Sequence, residues 1–126
     1  MRRKQSNGQA GEQAFEAWAR VHGWVMHRTQ PAVRYLPGGK VVTVGTGGIA
    51  DYTGYVDIRR APIYRACEVK ECKGSRMPAS RLSVKQRAWL DSLPPGCAYV
   101  AIMWTDYGTM DVLEYKPSGS YVRGGV

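Results

Sequence analysis

The sequence predicts a domain of the α/β or α+β class, with a mixed central β-sheet flanked by helices. Three observations point there. Apolar residues recur at helical spacing near the N-terminus and again after Ser83. Between and beyond these stretches lie runs that alternate or are rich in β-branched residues, as strands are. A chain of 126 residues with 44% hydrophobic content has room for one core and is too apolar for disorder throughout.

Taken in order, residues 1–6 are basic and polar and are expected to form a flexible arm. A helix should run from about Gly8 to His22, where Ala10, Ala14, Phe15, Ala17, Trp18 and Val21 make one apolar face and Gly23 ends it. Trp24 to Thr29 reads as a strand, Pro31 to Gly39 as a connection, Lys40 to Gly45 as a strand and Thr46-Gly47-Gly48 as a turn. Ile49 to Ile58 alternates and reads as the next strand, with a bend at Gly54; Arg59 to Pro62 turns the chain into a strand from Ile63 to Cys72. Gly74 to Leu82 reads as a polar, basic loop. Ser83 is an N-cap for a helix reaching about Leu93, which Pro94-Pro95-Gly96 breaks. Ala98 to Trp104 is a buried strand, Met110 to Tyr115 a final one, and 117–126 a Gly-rich tail. No repeat or domain boundary interrupts 1–126, which reads as a single domain.

The balance of 18 Lys+Arg against 10 Asp+Glu gives a net charge of +8. That excess favours an anionic partner, with nucleic acid first and a membrane surface as the rival. No basic amphipathic helix with a bulky apolar face supports the rival, and no apolar run is long enough to span a bilayer. Met1-Arg2-Arg3-Lys4 begins as a signal peptide does, but polar residues follow, so a cytoplasmic location is expected. Cys67, Cys72 and Cys97 lack zinc-site spacing and read as reduced thiols. Gly45, Gly47 and Gly48 precede a strand and not a helix, which disfavours a phosphate-cradling nucleotide site.

The most informative residues are Asp51 and the later Glu68-Val69-Lys70. Alternation on a strand puts Glu68 and Lys70 on one face and Val69 on the other. A carboxylate pair can hold a divalent cation, and an adjacent ammonium can stabilise charge on a reacting phosphate or position the attacking water. The bland reading is a charge pair on an exposed strand. Asp57 is a rival first acid, nearer to Glu68 but followed by Arg59-Arg60. Glu12 and Glu16 share a polar helix face, where Glu16 can pair with Arg20. Glu71 should face away from Glu68, and neither His22 nor His27 falls into a nucleophile–base or metal grouping. Basic residues surround these positions: Arg2, Arg3 and Lys4; Arg28 and Arg34; then Lys73, Arg76, Arg81, Lys85 and Arg87. They are expected to bind a nucleic-acid backbone by shape, since no helix shows a base-reading pattern. Tyr35, Tyr52 and Tyr55 are candidates either for stacking on unpaired bases or for core packing.

Gly48-Ile49-Ala50-Asp51-Tyr52-Thr53-Gly54, then Cys67-Glu68-Val69-Lys70, then Gln86 with Trp89-Leu90, together resemble the PD-(D/E)xK nuclease superfamily. The likeness is greatest to RecU-like Holliday junction resolvases, especially short phage versions. Gly11-Glu12 with Gly23-Trp24 is similar to the first helix of archaeal Holliday junction resolvases. The resemblance covers roughly residues 8–104. It implies a restriction-endonuclease-like core and Mg²⁺-dependent endonuclease activity on four-way DNA junctions, with Mn²⁺ as a substitute. It further implies Asp51, Glu68 and the Val69 carbonyl as metal ligands, Lys70 on the water or scissile phosphate, Glu12 reaching in from the first helix, and Gln86 hydrogen-bonding nearby. Symmetric junction cutting implies a homodimer. The sequence departs from the pattern at Ala50, where many members have proline. It is also short for the bacterial RecU type, whose projecting stalk has room here only within Gln30 to Gly48. The alternatives are another endonuclease of the superfamily (a nickase, restriction-type or repair enzyme) or an inactive nucleic-acid-binding module.

Overall fold

A computed structural model of the chain describes residues 8–29, 32–44 and 48–125, with the backbone alone at 32–34 and 42–44. The basic arm with Arg2, Arg3 and Lys4, and most of the expected turn at 46–48, lie outside the described residues, as does the side chain of Arg34.

The first helix, α1, spans Gln9–His22 and buries Gly11, Phe15 and Ala19 at helical spacing. Gly23 closes it in the left-handed region, φ 73°, its N–H reaching the Ala19 and Arg20 carbonyls. Strand β1 (Trp24–Arg28) follows, then a hairpin of β2 (Ala32–Tyr35) and β3 (Val41–Val44). β4 (Tyr52–Ile58) returns antiparallel to β1, and β5 (Ala61–Cys72) returns antiparallel to β4. Then come β6 (Arg76–Pro78), a 3-10 turn (Ala79–Arg81), α2 (Val84–Asp91), β7 (Ala98–Trp104), β8 (Thr109–Glu114) and β9 (Ser120–Val122).

The main sheet has the order β1-β4-β5-β7-β8. Only β5 and β7 are parallel. A parallel pair needs a crossover, and α2 lies within it. The molecule is thus a mixed α+β domain with a five-stranded mixed sheet and two helices. Among the described residues, no helix is long and apolar enough to cross a membrane.

Strand alternation divides the core in two. On one face Phe15 and Ala19 of α1 pack on Tyr52, Cys67, Val69 and Ala101. On the other, Ala66, Cys72, Val100, Ile102 and Trp104 meet Met77, Leu82, Leu90 and Tyr121. That second cover stops short of β1, β4 and the first half of β5: Val25, Tyr55 and Tyr64 are exposed.

The differences from the sequence reading involve short strands. β2 lies inside the expected connection, and β6 lies inside the expected basic loop. β9 lies in the expected tail, where pairing with β6 and full burial of Tyr121 build residues 120–122 into the fold. The strand expected from Ile49 begins only at Tyr52, leaving Asp51 in the bend before it.

Gly54 pairs with Met26 where β1 crosses close to β4, and a β-carbon there would run into the Val25 carbonyl. Backbone cannot yield as a side-chain end can. Gly54→Ala is expected to destabilise the domain by about 2 kcal/mol or more. Urea unfolding measures this, and an unchanged midpoint would contradict the close approach.

Candidate active site

Asp51 is held between Thr29 and Val69. The Thr29 N–H donates to its carbonyl at 2.8 Å, and the Thr29 hydroxyl donates to the Ala50 carbonyl at 2.6 Å. The Val69 N–H donates to Asp51 Oδ2 at 2.9 Å. β4 begins only at Tyr52, opposite Cys67, so β5 runs past it with that edge open. The N–H and C=O of one strand residue point the same way, so the Val69 carbonyl also faces the Asp51 side.

Glu68 follows from strand alternation. It shares a face with Ala66 and Lys70 and is 2% exposed. Its Oε1 accepts from Gln86 Nε2 at 3.0 Å, whereas Oε2 is buried with no donor. Gln86 is oriented by a capping box at the start of α2: the Ser83 N–H donates to Gln86 Oε1 at 2.9 Å, and the Gln86 N–H donates to Ser83 Oγ at 3.1 Å. With its oxygen engaged by Ser83, the Gln86 amide turns its NH₂ to Glu68. Gln86, which the resemblance implies as a hydrogen-bonding neighbour of the site, binds Glu68 itself. The Ser-x-x-Gln spacing that fixes it was visible in the sequence, but the hold of Thr29 on Asp51 had no sequence signal.

The two carboxyls converge. Burial, then the Asp51 charge and a hydrogen-bonding approach by Asp51, push the Glu68 carboxyl up to about 8, and Lys70 opposes the shift. The same acids add to burial in raising the Cys67 thiol well above its usual range. Gly48, at φ 86°, brings the chain before Asp51 against α2, since a β-carbon there would sit 2.8 Å from the Lys85 backbone.

Glu12 takes a different partner. It forms an ion pair with Arg28, on the α1 face of the sheet and away from the face bearing Glu68 and Lys70. The adjacent Tyr52 hydroxyl and Glu12 together raise the Arg28 guanidinium further. The charge of Glu16 is felt at Arg28 and Tyr52, and no Glu16–Arg20 pair forms among the described residues. Glu71 does face away from Glu68, accepting from the Gly11 N–H at 3.0 Å. Asp57 is exposed opposite Pro62, toward the far end of β4. His22 caps the end of α1 through the Trp18 carbonyl, and His27 is exposed.

Of the basic residues, Lys73, Arg76, Arg81 and Lys85 are exposed. Arg81 Nη2 donates to the Glu71 carbonyl at 3.1 Å, one residue past Lys70. Arg87 is half-buried and Arg28 is already paired. Arg65 is buried between the Trp24 and Tyr99 rings, at 5.5 and 5.0 Å from their centroids, and donates to the Gly96 carbonyl at 2.7 Å. It is a structural cation inside the fold.

Among the described residues no cluster of three or more His, Cys, Asp or Glu gathers to hold a metal. The Asp51–Glu68 pair, the open-sided Val69 carbonyl and the orphan Glu68 Oε2 form an all-oxygen donor set. That chemistry suits Mg²⁺ or Mn²⁺, which retain several waters. No protein-family model matches the chain, and no curated protein matches it.

The raised Glu68 carboxyl has a consequence for stability. Its ordinary value is 4.5 and its folded value about 8. Its contribution to stability is therefore complete below about pH 4.5 and is lost as pH rises toward 8. Metal-free protein should lose stability across this window, and Glu68→Gln should remove that part of the slope. Urea unfolding in EDTA at several pH values checks this; equal slopes for the two proteins would contradict it. Gln86→Ala should destabilise by about 1 kcal/mol through loss of the capping box, and by more where Glu68 is charged. The same unfolding series measures it.

Proposed function

We propose that this chain is a Mg²⁺-dependent, structure-selective DNA endonuclease with a restriction-endonuclease-like core, cutting four-way junctions as the RecU-like resolvases it resembles do. The observation that carries the reading is the buried Glu68, with one oxygen lacking any donor, facing Asp51 and followed on the same face by Lys70. Buried carboxyls perturbed by burial and by a second acid cluster at functional sites.

Asp51, Glu68 and the Val69 carbonyl would hold the cation. When bound, Mg²⁺ activates the attacking water and offsets charge on the phosphate. The chain supplies the rest. Thr29 and the Val69 N–H fix Asp51, and Gln86 fixes Glu68. The Lys70 ammonium offsets negative charge on a non-bridging phosphate oxygen. Lys73, Arg76, Arg81 and Lys85, exposed past the end of β5 and along α2, bind flanking phosphates without reading bases. Glu12, joined to Arg28, supports the sheet end from behind. Symmetric junction cutting calls for a C2 homodimer. The short β2–β3 hairpin in place of a long stalk favours a second reading, an endonuclease of the same superfamily acting on simpler branched or nicked DNA.

The test offers labelled four-way junction, linear duplex, flap and single strand to the protein in Mg²⁺ and in EDTA. Paired symmetric nicks on the junction, abolished by EDTA, are expected. Asp51→Asn and Lys70→Ala should each lower cleavage at least ~10²-fold with the fold intact. Equal cutting of linear duplex would overturn the junction assignment. Binding without Mg²⁺-dependent cleavage of any substrate would overturn the nuclease.

A further inference from the structure

We infer that the open half of the sheet beside the carboxylate pair is a stacking platform for unpaired nucleotides, formed by Tyr55 and Tyr64. The inference rests on the nuclease reading for its substrate and narrows it: the strand entering the site is unpaired there.

The register makes the platform. Val25 pairs with Tyr55, and Tyr55 with Tyr64, so the three stand in a row across β1, β4 and β5. Directly paired residues share a face. On β5 that face continues through Ala66 to Glu68, so the row lies four residues, about 13 Å, from the candidate site. Between them is a second row, His27–Thr53–Ala66, whose Thr53 and Ala66 are small. Ala66 is buried beneath the second core cluster, so the open path from the two rings toward the acids runs over β4, past half-buried Thr53 to half-buried Asp51.

Among the described residues, both rings of the row are left open to solvent. Tyr55 is 38% and Tyr64 42% exposed, whereas Tyr52, three residues earlier and on the opposite face of the sheet, is 1% exposed and packs 5.0 Å from Phe15. Alternation thus separates a core tyrosine from a surface one three residues later. Side chains with one apolar ring face and one polar tip suit a base, whose flat surface stacks and whose edges stay wet.

The surroundings favour a polyanion over a second protein copy. No carboxylate lies in the two rows between the tyrosines and the Asp51–Glu68 pair. Arg59 and Arg60 form the exposed turn at the end of the β4–β5 ladder, just past Asp57, which they flank with positive charge. The only aliphatic side chain in the two rows besides Ala66 is Val25, too little for the apolar centre of a protein interface. Duplex DNA, with its bases already stacked, has no ring face to offer these tyrosines.

The experiment measures binding in EDTA, where no cleavage occurs, to a flapped duplex with 2-aminopurine in the unpaired arm beside the branch, and to a blunt linear duplex. Tyr55→Ala and Tyr64→Ala should each weaken binding of the flapped duplex about fivefold to a hundredfold. Both should remove the 2-aminopurine fluorescence change and leave blunt-duplex affinity within about twofold; Tyr55→Phe and Tyr64→Phe should retain wild-type behaviour. An equal loss on both DNAs, no loss on either, or the same loss with phenylalanine would overturn the platform. Sedimentation of the alanine variants adds one more outcome: conversion of a dimer to a monomer would assign this face to a second copy and overturn the inference. If Tyr64→Ala does not fold, the Tyr55 pair of variants decides the matter by the same criteria. Ring-dependent binding by a protein that cleaves nothing in Mg²⁺ would sink the nuclease and leave the platform standing; Mg²⁺-dependent cleavage without it would do the reverse.

Discussion

Two acids forced together, one in the bend just before β4 and one in β5, set the terms for the site. In water they would separate. Here each is tied to the sheet: Asp51 through Thr29 and the Val69 amide, Glu68 through its place on a buried strand and the Gln86 amide. Repulsion between carboxylates grows as water is excluded, and Glu68 is almost fully excluded from water. The fold answers by keeping a proton on Glu68. A cation would replace that proton and satisfy the orphan oxygen together.

The parallel pairing of β5 with β7 is what delivers Gln86. An antiparallel neighbour can follow through a tight turn, but a parallel one requires the chain to cross a face of the sheet. The crossing carries α2 over the face that bears Glu68, and its first turn ends beside the acid. The other face belongs to α1 and its aromatic cluster of Phe15, Trp18, Trp24 and Tyr52. Glu12 and Arg28 lie on that side. A helix-one acid and a strand-five acid can therefore sit near the same end of one sheet and belong to different environments. The sheet separates an electrostatic support from a candidate reaction centre.

Much of this was legible in residue order because it rests on local rules. The α1 apolar face, Gly23 as its stop, β7 over Ala98–Trp104 and the shared face of Glu68 and Lys70 all follow from periodicity. Ser83 announced α2 and, through its spacing to Gln86, the orientation of the amide. What escaped depends on partners distant in the chain. β6 and β9 have three residues each and exist because Arg76–Pro78 meets Ser120–Val122 across the fold. Neither segment carries a strand signal of its own, and the glycines around β9 resemble a tail until Tyr121 is seen buried. Asp51 stands in a bend and not on a strand, where Thr29 and Val69 hold it in place of a ladder. The pairing of Glu12 with Arg28 depends on where β1 lies, which helix periodicity does not encode.

The β4–β5 turn has a consequence for how this chain changes over time. Arg59 and Arg60 both occupy the left-handed region, at φ 52° and 67°, between Ile58 and Ala61. A two-residue hairpin of this shape favours Asn-Gly, and β-carbon-bearing residues there are strained by about 1 kcal/mol or more each. Neither arginine forms an ion pair among the described residues to offset that strain. A lineage selected for robustness alone would drift toward Asn-Gly at this corner. Two arginines standing there leave backbone strain that an Asn-Gly replacement would relieve at the expense of two surface charges.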